Sequence, residues 1–92
     1  MIYLLHFSRP LKHAKHYMGY AEDIEARLAR HRSGDGARLL RAVLAEGIEF
    51  ELVRTWPGGR VFERKLKRRR DTPKLCPICN PQAMSRGNYK NE

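Results

Sequence analysis

The chain has 92 residues, enough for one small domain with a single modest core and no second one. Nineteen Lys and Arg against ten Asp and Glu give a net charge of +9, and the excess is concentrated: 11 basic and 3 acidic residues follow from Arg54 onward, against 8 and 7 in residues 1–53. No apolar run approaches the roughly 18 residues of a membrane span, "MIYLLHF" is too short for a secretory leader, and two cysteines in one CPIC do not make a secreted disulfide framework. These features point to a soluble, cytoplasmic protein with no membrane role, whose C-terminal positive field suits a polyanion, most simply nucleic acid through its phosphates.

Residues 2–7, IYLLHF, are apolar and β-favouring, and "SRPLKHAK" behind them has loop character around Pro10. His16–Tyr20 follows as a second short strand, so the chain opens on an antiparallel pair joined by a medium loop. Asp23 is placed to cap a helix carrying Ile24, Leu28 and His31 at helical spacing. That helix should stop at "RSGDG", where Gly34 and Gly36 intervene. "ARLLRAVLAEG" reads as an amphipathic helix of about three turns ending at Gly47. "IEFELV" alternates, with Ile48, Phe50 and Leu52 on one face and Glu49 and Glu51 on the other. After the turn "PGG", "RVFERKLKRRR" reads as a short helix with Val61, Phe62 and Leu66 inward. From Asp71 the prolines and polar residues suggest a loosely structured basic tail. The expectation is an α/β (α+β) domain over residues 1–70, with a three-stranded antiparallel sheet flanked by helices in the order β-β-α-α-β-α, followed by a tail at 71–92.

Chemistry-bearing residues collect around the second strand. Arg27 and His31 lie four apart on one helix and project from one face, and a guanidinium is a planar fork suited to phosphate oxygens. Gly19 permits close backbone approach, and hairpin pairing would set Tyr3 beside Tyr17. Each has an ordinary alternative: cross-strand core positions for the tyrosines, a surface ion pair for Arg27, the negative end of a helix dipole for His31. Glu63 is a lone acid before a run in which six of residues 64–70 are basic. It suits either a local i,i+4 pair with Lys67 or a divalent-metal ligand among phosphate-binding cations.

The order Tyr3 in "IYLL", "YMG" at 17–19, Arg27, His31 and Glu63 in an ExxxK helix resembles the GIY-YIG nuclease superfamily. It is closest to small single-domain bacterial members related to the N-terminal nuclease domain of the DNA-repair excinuclease C subunit. "HRSGDGARLLR", residues 31–41, also resembles the linker of those members. The resemblance covers about residues 1–70 and implies a GIY-YIG-like fold and an endonuclease that hydrolyses DNA phosphodiester bonds, with RNA as the other substrate class. It implies that Tyr3 and Tyr17 line the site, that one of them helps deprotonate the attacking water, and that Arg27 stabilises the phosphate. It further implies that His31 lies near the scissile bond and that Glu63 binds one Mg²⁺ or Mn²⁺ ion. Gly19, Tyr20, Arg38, Lys65, Lys67, Arg68, Arg69 and Arg70 would contact nucleic acid. Tyr20 stands where excinuclease-type members carry a lysine, and no asparagine follows Glu63 within its helix. The competing reading is a non-catalytic nucleic-acid-binding module with a degenerate site. Cys76 and Cys79 form half of a zinc site; His6, His13, His16 and His31 are available to complete it, but with no second CxxC or HxxxH, zinc there is not expected, and reduced or redox-sensitive thiols are. Neither oligomeric state nor the nucleic-acid structure recognised follows from the sequence.

Overall fold

A computed structural model describes residues 1–69 and 72–82. Strand β1 (Ile2–Leu11) and strand β2 (Ala14–Tyr20) form a hairpin, and β1 also pairs antiparallel with β3 (Phe50–Trp56), so the sheet order is β2-β1-β3. Ile2, Tyr3, Leu4 and Leu5 have no exposed surface. An uninterrupted apolar run of this kind belongs to a strand covered on both faces, and β1 is that central strand. Among the described residues the helices are α1 (Ile24–Arg32), α2 (Arg38–Ala45), α3 (Arg60–Arg68) and α4 (Thr72–Leu75). The architecture is the expected α+β arrangement, β-β-α-α-β-α, with one additional short helix.

Alternation along β1 divides the core in two. Tyr3, Leu5 and Phe7 pack with Leu28 of α1, Leu40 and Val43 of α2, and Ile48 and Phe50. Ile2 and Leu4 face the other way, against Met18, Trp56, Leu66 of α3 and Cys76. Asp23 caps α1 by accepting from Ala26 N–H at 3.1 Å, and α1 closes with Gly34 N–H on the His31 carbonyl and Asp35 N–H on that of Arg30. The end of α2 repeats this pattern, with Gly47 N–H on Leu44 and Ile48 N–H on Val43.

Three expectations about local structure are corrected. The stretch read as a medium loop is strand: β1 and β2 run to a tight turn at Lys12 and His13, with Lys12 at φ 57. Pro10 is tolerated because the pairing with β2 is irregular between His6 and Leu11, while the pairs with β3 end at Phe7. On β3, consecutive Leu5 and Leu4 face Leu52 and Arg54, leaving Val53 as a bulge. The alternation read in "IEFELV" holds in register as far as Leu52, but burial does not follow it: Ile48 and Phe50 are buried while Leu52 is 39 % exposed. On α3 the buried residues are Glu63 and Leu66, whereas Val61 and Phe62 are exposed, because α3 packs against edge strand β2 by a different stripe from the one apolarity suggested.

Residues after α3 also join the body. Arg54 donates to the Leu75 carbonyl at 3.0 Å, and Cys76 is fully buried in the second core cluster. Arg70, Asp71 and residues 83–92 lie outside the described residues.

Candidate functional site

The hairpin register sets Tyr3 opposite Gly19 and Leu5 opposite Tyr17, which makes the two tyrosines diagonal neighbours on the face that carries α1. Their ring centroids are 6.1 Å apart. From α1, His31 brings its imidazole to 6.0 Å from the Tyr3 ring and 5.6 Å from the Tyr17 ring, and its Nε2 lies 2.8 Å from the Tyr3 hydroxyl in a buried contact. Arg27, one turn earlier, donates to the Tyr20 carbonyl at 3.2 Å, and its charge opposes the upward push on the Tyr3 hydroxyl. Tyr3, Tyr17, Arg27 and His31 therefore come together.

The backbone fixes the His31 tautomer. Ala37 N–H can only donate, and it reaches His31 Nδ1 at 3.4 Å. A neutral ring that accepts there carries its proton on Nε2 and donates to the Tyr3 oxygen. Burial, then the charges of Arg27 and Arg30, hold His31 below the usual imidazole range, which keeps the ring neutral. Burial foremost, with the neighbouring Tyr17, pushes the Tyr3 hydroxyl up to about 12. Tyr3 thus remains a neutral phenol at physiological pH, accepting from His31 and keeping its own proton to donate.

Two glycines make room for this arrangement. A Cβ on Gly19 would lie 2.6 Å from the Tyr3 hydroxyl and 3.0 Å from Tyr17 Cε2. A Cβ on Gly36 would meet the His31 imidazole at Nδ1, so only glycine lets the α1–α2 loop close over that ring. The steric reason for Gly36 is not readable from its position in "RSGDG", where it resembles a helix stop.

Outside the tyrosines the surface is of mixed charge, with Arg27, Arg30 and Arg60 set among Glu22, Asp23 and Asp35. Tyr17, Arg27, Arg30, His31 and Asp35 line one hollow; Arg27 and Arg30 also line its neighbour, with Tyr20 and Arg60. The Arg60 guanidinium sits 5.2 Å over the Tyr20 ring, so a cation from α3 stands beside this tyrosine. Arg38 is the exposed first residue of α2, and Lys65, Lys67, Arg68 and Arg69 are exposed along α3 and its end; Arg70 is outside the described residues. Glu63 is nearly buried and forms the i,i+4 pair, with Lys67 Nζ at 3.0 Å.

The opposite face of the sheet corrects the metal expectation. His6 and His16 are cross-strand partners, and Cys76 and Cys79 arrive beside them from the segment after α4. The four ligand atoms lie within 4.8 Å of one another. Two imidazoles and two thiols are a donor set typical of zinc and not of Mg²⁺ or Mn²⁺, which prefer oxygen. The expectation of a single Mg²⁺ or Mn²⁺ ion with zinc disfavoured at Cys76 and Cys79 is therefore overturned. The cysteine pair does have two further candidate ligands; they stand 60 to 73 positions away in the chain. The available signal was the hairpin itself, since the alignment that brings Tyr3 and Tyr17 together also sets His6 opposite His16.

Among the described residues no helix is long and apolar enough to cross a membrane. Comparisons with protein-family models, with curated proteins and with solved structures found no match to this chain.

Proposed function

We propose that the chain is a nuclease of the GIY-YIG type that hydrolyses DNA phosphodiester bonds at the Tyr3, Tyr17, Arg27 and His31 cluster. The observation that carries the reading is the 2.8 Å contact between the Tyr3 hydroxyl and His31 Nε2, made beside Tyr17 and Arg27 at the edge of a hollow lined by arginines. Phosphodiester hydrolysis needs a water oriented in line with the leaving oxygen and fixed donors aimed at the charge that develops on the phosphoryl oxygens. Arg27 is the fork-shaped cationic donor for those oxygens. His31, neutral and fixed by the Ala37 N–H, is braced from behind by the buried Tyr3 hydroxyl and stands against the Tyr17 ring at the hollow. Tyr3 is fully buried, so the proton-transfer role falls to Tyr17, the half-buried tyrosine that opens onto the hollow. Arg60 beside Tyr20 adds a third cation to the neighbouring hollow that Arg27 and Arg30 share.

The test is cleavage of plasmid and branched DNA by purified protein, with and without added divalent cations. Arg27→Ala and Tyr17→Phe are each expected to lower the rate by about 100-fold or more, the usual consequence of losing one preorganised transition-state contact. Cleavage at wild-type rate in both variants would remove the assignment. A second reading, a non-catalytic nucleic-acid-binding module, is favoured by the exposed Lys65, Lys67 and Arg68 on α3 and by the Glu63 carboxylate being engaged with Lys67. It predicts DNA binding that weakens steeply with salt and no cleavage under any metal condition.

A further inference from the structure

The His6, His16, Cys76 and Cys79 cluster has a geometry that hydrogen bonding alone does not explain. His6 Nδ1 lies 3.3 Å from His16 Nε2, 3.5 Å from Cys76 Sγ and 3.7 Å from Cys79 Sγ, and Cys79 Sγ lies 3.3 Å from His16 Nε2. A ring nitrogen has one in-plane site, either a proton or a lone pair, yet His6 Nδ1 stands at contact distance from three neighbours at once. One ion at the centre of the four atoms serves all of them. Zinc bonds of about 2.05 Å to nitrogen and about 2.3 Å to sulfur give a regular tetrahedron with edges of about 3.3 Å between nitrogens and about 3.5 Å between nitrogen and sulfur. The four separations above match those edges within about 0.3 Å.

We propose that His6, His16, Cys76 and Cys79 bind one Zn²⁺ ion in a closed, four-coordinate structural site that fastens the segment after α3 to the β1–β2 hairpin. All four positions are filled by the protein, and the cysteines have the Cys-x₂-Cys spacing of structural sites. Binding displaces one proton from each thiol to solvent and takes both imidazoles neutral, so two thiolates balance the charge of the ion with no change in oxidation state. Cys76 is already held by packing with Ile2, Leu4, Met18, Trp56 and Leu66. Cys79 is exposed and gains its fixed position from the ion. The ion closes a loop of some 60 residues between His16 and Cys76, a large entropic constraint on the unfolded chain. The site lies on the far side of the sheet from Tyr3 and Tyr17, so it stands independently of the nuclease reading.

The experiment is metal analysis of the full-length protein purified under reducing conditions without a metal-affinity tag, followed by replacement of the metal with Co²⁺. One zinc per chain is expected, with a Co²⁺ spectrum showing thiolate charge transfer and the intense visible bands of tetrahedral coordination. Cys79→Ser, chosen because this side chain is exposed, is expected to bind zinc more than about 100-fold less tightly, since second-shell changes alone cost 10–100-fold. Should that variant fold poorly, a chelator titration of the wild-type protein gives the second measurement, with a lowered Tm expected on zinc removal. Metal-free protein that takes up Co²⁺ only with an octahedral spectrum would overturn the proposal. So would wild-type zinc affinity in Cys79→Ser, a Tm indifferent to the chelator, or a Cys76–Cys79 disulfide in the reduced preparation.

Discussion

Replacing Gly19 with alanine tests the packing around Tyr3 directly. The new methyl carbon would sit 2.6 Å from the Tyr3 hydroxyl oxygen, 2.7 Å from Tyr3 Cζ and 3.0 Å from Tyr17 Cε2. Carbon contacts are comfortable at about 3.5–4.0 Å, so the overlap with Tyr3 is close to 1 Å. Tyr3 has no exposed surface and stands on the central strand, which leaves its ring little room to retreat. Overpacking of this kind costs about 1–3 kcal/mol, and forcing the ring away from His31 forfeits a buried hydrogen bond of about 1 kcal/mol. Against this, alanine gains about 0.5–1 kcal/mol over glycine in a regular strand. The net expectation is a loss of about 1–3 kcal/mol, read as a lower urea midpoint at unchanged m-value and a fall in Tm of about 4–8 °C for each kcal/mol. Combining Gly19→Ala with Tyr3→Phe should be less destabilising than the sum of the two changes, because the nearest of the clashing atoms is then absent. Wild-type or higher stability in Gly19→Ala would refute the argument that this glycine exists to admit the tyrosine.

Two further outcomes are expected. Because His31 is held neutral in the folded state with its pKa below the unfolded value of about 6.5, the unfolded chain binds a proton first as pH falls. Stability therefore declines below about pH 6.5 and levels off once the folded pKa is passed; denaturant curves should show a smaller decline between pH 7 and 5 in His31→Gln than in wild type, and equal declines would count against the assignment. On α3, Leu66→Ala should cost about 2–4 kcal/mol and the exposed Val61→Ala less than about 0.5 kcal/mol, measured by the same unfolding curves. The reverse ranking would mean that the helix packs by the stripe its apolarity suggests.

Those contrasts mark where sequence reading succeeded and where it stopped. The order of elements, the Asp23 cap and the end of α1 at Gly34 depend on local chemistry and are legible from composition and spacing. So was the meeting of Tyr3 with Tyr17, since an antiparallel pair with a short connection dictates it. The Val53 bulge leaves no comparable trace, because one unpaired residue in a strand has the same composition as its neighbours. The buried stripe of α3 was misread because Glu63 is nearly buried as half of an ion pair, while Val61 and Phe62 remain in solvent. The zinc-type cluster was hidden for a different reason. CPIC is visible as a local motif, but its partners His6 and His16 belong to a hairpin at the other end of the chain. Only pairing, not proximity in sequence, unites them.

The hairpin pairs are Ile2 with Tyr20, Tyr3 with Gly19, Leu4 with Met18, Leu5 with Tyr17 and His6 with His16. A single alignment therefore serves two chemistries, tyrosines toward α1 and histidines toward Cys76. Gain or loss of one residue between Tyr3 and His6, or between His16 and Tyr17, would turn the side chains beyond it to the wrong face, so that the two constellations could no longer both form. Between residues 7 and 15 the pairing already slips, and no residue of either constellation lies there. Natural length variation in this hairpin should consequently be confined to its tip. Insertions engineered at Lys12 and His13 should leave both constellations in place, while the same insertion after Leu4 should put Tyr3 and His6 on one face and cost the chain one of the two.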